Sequence, residues 1–150
     1  MSPEEYHPVF VHYPIALTVT ALVFDWGRWI FSREKLLGAG FWGGTTPILI
    51  AAFVGAIASV FTGLVFAEPR AGDAKAIQEL LEAHETLGLI ALGILALLVF
   101  WRIGIRGRFP MRLRFLYLVL LLALVVVIGF GAYFGGQMVY THGVGVDAVI

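Results

Sequence analysis

The sequence predicts an all-α integral membrane protein, a four-helix bundle that forms a single domain over residues 1–150. Of the 150 residues, 60% are hydrophobic and 13% are charged, against roughly 45–50% and about 25% in soluble domains. The mean hydropathy is +0.92, and ten basic residues balance ten acidic ones. This composition excludes a water-soluble enzyme and gives no attraction to nucleic acid. The absence of cysteine excludes disulfides, thiolate metal sites and covalent haem attachment.

Four segments are apolar enough to cross a hydrocarbon core of about 30 Å, which takes about 20 residues. They are residues 8–29, 47–67, 87–101 and 113–140. The second is predicted to begin at Thr46-Pro47, since a hydroxyl can cap a helix and proline fits its first turn. The third is short, but Asp73 can cap a helix that begins near Ala74 and reaches about 45 Å at 1.5 Å per residue.

The loops predict the orientation of the spans. Eight of the ten basic residues lie in the links between helices one and two and between helices three and four. They are Arg28, Arg33, Lys35, Arg102, Arg106, Arg108, Arg112 and Arg114. The positive-inside rule therefore predicts that both basic links are cytoplasmic and that both termini are outside. The acidic N-terminus lacks the basic region of a cleaved signal peptide, so we expect a multi-pass protein of the bacterial inner membrane.

The four histidines are all predicted on the extracytoplasmic side. His7 and His12 open helix one, His84 precedes the apolar part of helix three, and His142 follows helix four. Ionisable residues in or near a membrane are costly and are candidates for function. His12 lies within an apolar run and needs a hydrogen-bonding partner there. A structural alternative is a bond from its imidazole to a backbone carbonyl that Pro14 leaves without a donor.

Small residues lie along the helix faces below two of these histidines. Gly88 and Ala91 follow His84 on its own face, and Gly135 and Gly131 precede His142. A porphyrin held edge-on between helices needs such space, and neutral imidazole is a common axial ligand of haem. Close helix packing in a membrane explains glycine rows equally well, and helix two has such a row without a histidine.

No catalytic residue is predicted, and whether the chain is an enzyme is left open. The sequence has no serine nucleophile with its partners, no phosphate-binding loop and no pair of catalytic carboxylates. Asp25 and Arg28 are three residues apart near the end of helix one. Residues at that spacing are neighbours on a helix surface, so we expect them to form an interfacial ion pair or a snorkelling pair.

Both ends of the chain resemble a bacterial membrane family known as domain of unknown function 2231. The resemblance is carried by residues 7–17 (HPVFVHYPIAL), residues 135–146 (GGQMVYTHGVGV) and the position of His84. It implies a four-span protein of this size whose recurring histidines match all four here. It also implies a link to redox chemistry, because some relatives are joined to Rieske-type iron–sulfur domains.

These observations lead to three functional hypotheses. The first is a b-type cytochrome-like protein that binds haem b for electron transfer, with His12 and His84 as the first pair of axial ligands. His142 and His7 would then ligate a second haem, form hydrogen bonds to haem propionates or replace a member of this pair, with Gly88 and Gly135 lining the slot. The second is a copper or zinc site of three or four histidines. The third is a non-catalytic membrane subunit that docks a partner. The expected partners are membrane lipid, a quinone or periplasmic redox protein, and a second copy in a homo-oligomer.

Overall fold

The computed structural model describes residues 6–30, 44–67, 74–106, 108 and 110–145. Four long helices make up this part of the chain: α1 (Tyr6–Ile30), α2 (Thr46–Thr62), α3 (Lys75–Gly104) and α4 (Arg114–His142). A turn of π-helix, Gly63–Ala67, continues α2, and a turn of 3-10 helix, Met111–Leu113, precedes α4. All four helices are long and apolar enough to cross a membrane. The predicted four-span, all-helical fold is confirmed.

The helix starts differ from the predicted caps. The first residue of α2 is Thr46 and its N-cap is Thr45, but neither hydroxyl caps the helix. Both hydroxyls bond to side chains of other helices instead. The N-cap of α3 is Ala74, which has no side chain that can cap. Asp73, the predicted cap of α3, lies outside the described residues.

The helices associate as two antiparallel hairpins, because α1 packs chiefly against α2 and α3 against α4. Small residues permit the close approach within the first hairpin. A Cβ atom added to Gly55 of α2 would lie 2.8 Å from Cβ of Tyr13 and 3.3 Å from Cδ of Pro14. Apolar helices gain little hydrophobic driving force against each other in lipid, so close packing and polar contacts become important.

The two ends of the bundle differ in what fills the seam between the hairpins. We call the end that carries Asp25, Thr45 and Arg102 the arginine end, and the opposite end, with His7 and His84, the histidine end. The leucines that are at most 1% exposed lie in the half of the bundle toward the arginine end, and they are Leu49, Leu95, Leu98, Leu121 and Leu124. Toward the histidine end the buried residues of the described chain are mainly small or polar: Pro14, Ala56, Ser59, Thr62, Gly131 and Met138.

Candidate functional site

Two of the four histidines face each other across the seam at the histidine end. The ring centroids of His7 and His84 lie 6.1 Å apart, and the ring planes are nearly perpendicular, at 83°. His7 lies in the first turns of α1, and His84 lies within α3. Each hairpin therefore contributes one imidazole, and both rings are partly buried.

Each imidazole is anchored to the partner helix of its own hairpin. Nδ1 of His7 lies 2.9 Å from the Ser59 carbonyl oxygen of α2 and 3.4 Å from the Thr62 hydroxyl. Nδ1 of His84 lies 2.8 Å from the Gly131 carbonyl oxygen of α4. A carbonyl oxygen can only accept a hydrogen bond, so Nδ1 must carry the proton in both rings. The neutral form of each ring therefore has the lone pair on Nε2, which is the atom that ligates a metal.

A glycine of the partner helix lies against each ring. A Cβ atom on Gly63 would be 3.0 Å from Cε1 of His7, and one on Gly135 would be 3.1 Å from Cε1 of His84. A side chain at either glycine would crowd the neighbouring ring and require a shift of a few tenths of an ångström. Gly63 also begins the π-helical turn that ends α2, and such turns occur frequently at functional sites. Gly135 was predicted as a lining residue, and here it supports the ring of His84.

The other residues predicted for this site lie apart from the pair. His12 is exposed, and its Nδ1 bonds to the Pro8 carbonyl oxygen of its own helix. Five residues separate it from His7, which points the two side chains about 140° apart on a helix. His142 is exposed at the end of α4. Gly88 faces open space, since a Cβ atom added to it would meet nothing within 4 Å.

The hypothesis of a three- or four-histidine metal site lacks the required grouping. Among the described residues, no group of three or more histidine, cysteine, aspartate or glutamate side chains could hold a metal ion. The histidine that accompanies His84 is His7 rather than His12. The reason is the rotation of α1 about its axis, which turns His7 toward α2 and leaves His12 outside.

The arginine end contains a buried polar network that joins all four helices. The carboxylate of Asp25 in α1 is fully buried. It accepts hydrogen bonds from the Thr45 hydroxyl, at 2.9 and 2.8 Å from its two oxygens. It also accepts a bond of 2.6 Å from the hydroxyl of Tyr117 in α4. Two hydroxyls, from α4 and from the N-cap of α2, therefore donate to this one carboxylate.

The cation of this network is Arg102 of α3, which is also fully buried. Its Nε donates to the Thr46 hydroxyl at 3.1 Å, and its Nη2 donates to the Thr45 hydroxyl at 3.3 Å. The guanidinium carbon lies 5.7 Å from the centre of the Tyr117 ring, within cation–π range. Thr45 thus bridges the guanidinium and the carboxylate, so the two charges are linked through one hydroxyl.

Sequence reasoning missed this network, because it paired Asp25 with Arg28. In the structure, Asp25 bonds to Thr45 and Tyr117 instead. A signal was present in the sequence, since Asp25, Arg102 and Tyr117 all lie at the same end of their predicted spans. Ionisable residues at one depth in a membrane tend to pair across helices.

A family model described as a predicted membrane protein, DUF2231, matches residues 4–148 of the chain. The match includes both hairpins, the histidine pair and the buried network. Comparison with curated proteins and with solved structures gave no match.

Proposed function

We propose that this protein, which belongs to the DUF2231 family of predicted membrane proteins, binds haem b between His7 and His84 and transfers electrons. It would act as a b-type cytochrome-like protein, with one histidine from each hairpin holding the haem. The observation that carries the proposal is the pair of facing imidazoles whose Nδ1 atoms are both held by backbone carbonyls. With Nδ1 donating to a carbonyl, the neutral form of each ring would keep its Nε2 lone pair for a ligand.

The separation of the two rings suits two ligands of one iron. Imidazole nitrogens bind first-row metals at about 2.0–2.1 Å, which places two opposing ring centres about 6 Å apart. The ring centroids of His7 and His84 are 6.1 Å apart. Hydrogen bonds from Nδ1 to a carbonyl orient ligating histidines and raise the basicity of Nε2. The Ser59 and Gly131 carbonyls are in position to do this.

The number of protein ligands favours haem over a bare metal ion. A structural zinc ion usually takes four protein ligands, and the described residues bring together two histidines. Haem supplies four nitrogen donors of its own and needs only two from the chain. The buried residues of the histidine end are mainly small or polar, and helix bundles bind cofactors between facing helices.

In this proposal the protein supplies ligation and a low-dielectric setting, and haem when bound supplies the one-electron chemistry. His7 and His84 would ligate the haem iron, and Gly63 and Gly135 leave space for the two imidazoles. The site lies near the end of the bundle, so a quinol or a periplasmic redox protein could reach it. These are the partners that we propose.

We also propose that the chain lies in the bacterial inner membrane with its histidine end facing the periplasm. The basis is the set of arginines at the opposite end, which the positive-inside rule places in the cytoplasm. Alkaline phosphatase fused after residue 150 should be active, and green fluorescent protein fused at the same position should be dark. A bright fluorescent fusion with an inactive phosphatase would show the reverse orientation.

The direct test of the haem proposal is the visible spectrum of the full chain purified in detergent from cells supplied with a haem precursor. We expect a Soret band that shifts on reduction with dithionite, and low-spin iron in the oxidised protein by electron paramagnetic resonance. A colourless protein that does not take up added haemin would overturn the proposal. Stoichiometric copper or zinc in that colourless protein would support the hypothesis of a copper or zinc site. A colourless protein without metal would support the hypothesis of a non-catalytic subunit that docks a partner.

A further inference from the structure

The connection between α3 and α4 carries arginines that have no acidic neighbour in the sequence. Arg102, Arg106, Arg108, Arg112 and Arg114 lie within thirteen residues, and no acidic residue occurs between Glu85 and Asp147. Arg102 is buried in the network described above. The other four, which we call the arginine surface, are Arg106, Arg108, Arg112 and Arg114.

Several described backbone amides on either side of this connection form hydrogen bonds within turns. The chain leaves α3 through Arg106, whose backbone is left-handed (φ 55°) and whose amide donates to the Ile103 carbonyl at 2.9 Å. The amide of Arg108 donates to the Ile105 carbonyl at 3.2 Å, and that of Leu113 donates to the Pro110 carbonyl at 3.1 Å. These turns hold the arginine surface together at one end of the bundle.

Exposed apolar side chains alternate with these cations. Leu113, between Arg112 and Arg114, is 55% exposed, and Phe115 is 60% exposed. The guanidinium carbon of Arg114 lies 5.5 Å from the centre of the Phe115 ring. That ring in turn contacts Trp29, with centroids 5.4 Å apart. Aromatic side chains at the end of a span are typical of the interface between lipid and water.

We propose that the arginine surface binds the phosphate of anionic phospholipid headgroups, such as phosphatidylglycerol. Guanidinium groups bind phosphate through charge-assisted, often bidentate hydrogen bonds. Arg106, Arg108 and Arg112 are exposed, so their charges are accessible to headgroups. The apolar side chains beside them lie where acyl chains would, which favours a lipid over a soluble phosphate. Basic clusters next to membrane helices attract anionic lipid in this way.

Tryptophan quenching by brominated lipid tests the proposal, because Trp29 contacts Phe115 beside the arginine surface. The full chain is reconstituted in phosphatidylcholine bilayers that contain brominated phosphatidylglycerol or brominated phosphatidylcholine. We expect several-fold stronger relative binding of phosphatidylglycerol. The double variant Arg108→Gln/Arg112→Gln should lose most of this preference, because it removes two of the four cations of the arginine surface.

Lys75→Gln is the matched control, since this cation is 92% exposed at the start of α3, far from the connection. It should keep the preference of the unmodified protein. Equal binding of the two lipids by the unmodified protein would overturn the proposal. An equal loss of the lipid preference in Lys75→Gln and in the double variant would also overturn it. Loss of the preference on adding millimolar inorganic phosphate would overturn it too, because it would indicate a site for soluble oxyanions.

Discussion

His84→Ala and His7→Ala are each expected to abolish tight haem binding, while His12→Ala keeps it. Loss of an axial ligand removes a bond to iron, whereas changes to the groups that support a ligand already cost about 10- to 100-fold in affinity. We therefore expect more than about 100-fold weaker binding, seen as a loss of Soret absorbance per protein. His12 serves as the matched control, because it is a histidine of the same helix whose imidazole is exposed and bonded locally.

Two further measurements separate ligation from folding. Circular dichroism and size-exclusion chromatography should show that the His84→Ala chain remains helical and monodisperse in detergent. His84→Gly should regain a low-spin spectrum when free imidazole is added, since the imidazole can occupy the vacated position. Normal haem content in both His7→Ala and His84→Ala would show that neither ring is a ligand. Loss of haem in His12→Ala alone would show that the exposed His12 is the ligand instead.

Asp25→Ala is expected to destabilise the bundle by about 3–5 kcal/mol, because it leaves the Arg102 charge buried without its counter-charge. Unfolding of the purified protein by titration with a denaturing detergent, followed by circular dichroism, measures the change. Tyr117→Phe should cost less, about 1.5–3 kcal/mol, since it removes one hydrogen bond to a charged group. We therefore predict that Asp25→Ala loses more stability than Tyr117→Phe.

The double variant Asp25→Ala/Arg102→Met is the informative comparison. Replacing a whole buried charge pair by apolar residues is often close to neutral, whereas removing one partner is not. We therefore expect the double variant to be more stable than Asp25→Ala. Stability of Asp25→Ala within about 1 kcal/mol of the unmodified protein would mean that the carboxylate contributes little. A double variant less stable than Asp25→Ala would argue against a link between Asp25 and Arg102 through Thr45.

Hydropathy predicted the spans well because crossing a bilayer imposes a length and a composition that one segment satisfies alone. The order and approximate bounds of α1 to α4 follow from it. The predicted starts at Thr46-Pro47 and near Ala74 agree with the observed starts of α2 and α3. The Thr46 hydroxyl was expected to cap α2, but it accepts a hydrogen bond from Arg102 across the bundle.

The contacts of the histidines and of Asp25 depend on how each helix is rotated about its axis. In a soluble protein an amphipathic stripe sets that rotation. A span that is apolar on every side has no such stripe, since lipid and neighbouring helices are alike in polarity. The sequence favoured His12 as the partner of His84, and it is the packing of α1 against α2 that turns His7 toward His84 instead.

The sequence by itself determined that four apolar helices cross a membrane, with histidines gathered toward one end and arginines toward the other. The tertiary structure decided that His7 faces His84, and that Asp25 reaches Thr45 and Tyr117 rather than Arg28. The physical reason is that hydropathy records the depth of a residue along a span. Its direction around the helix is fixed by close packing, by hydrogen bonds to neighbouring backbone and by the need of buried charges for partners.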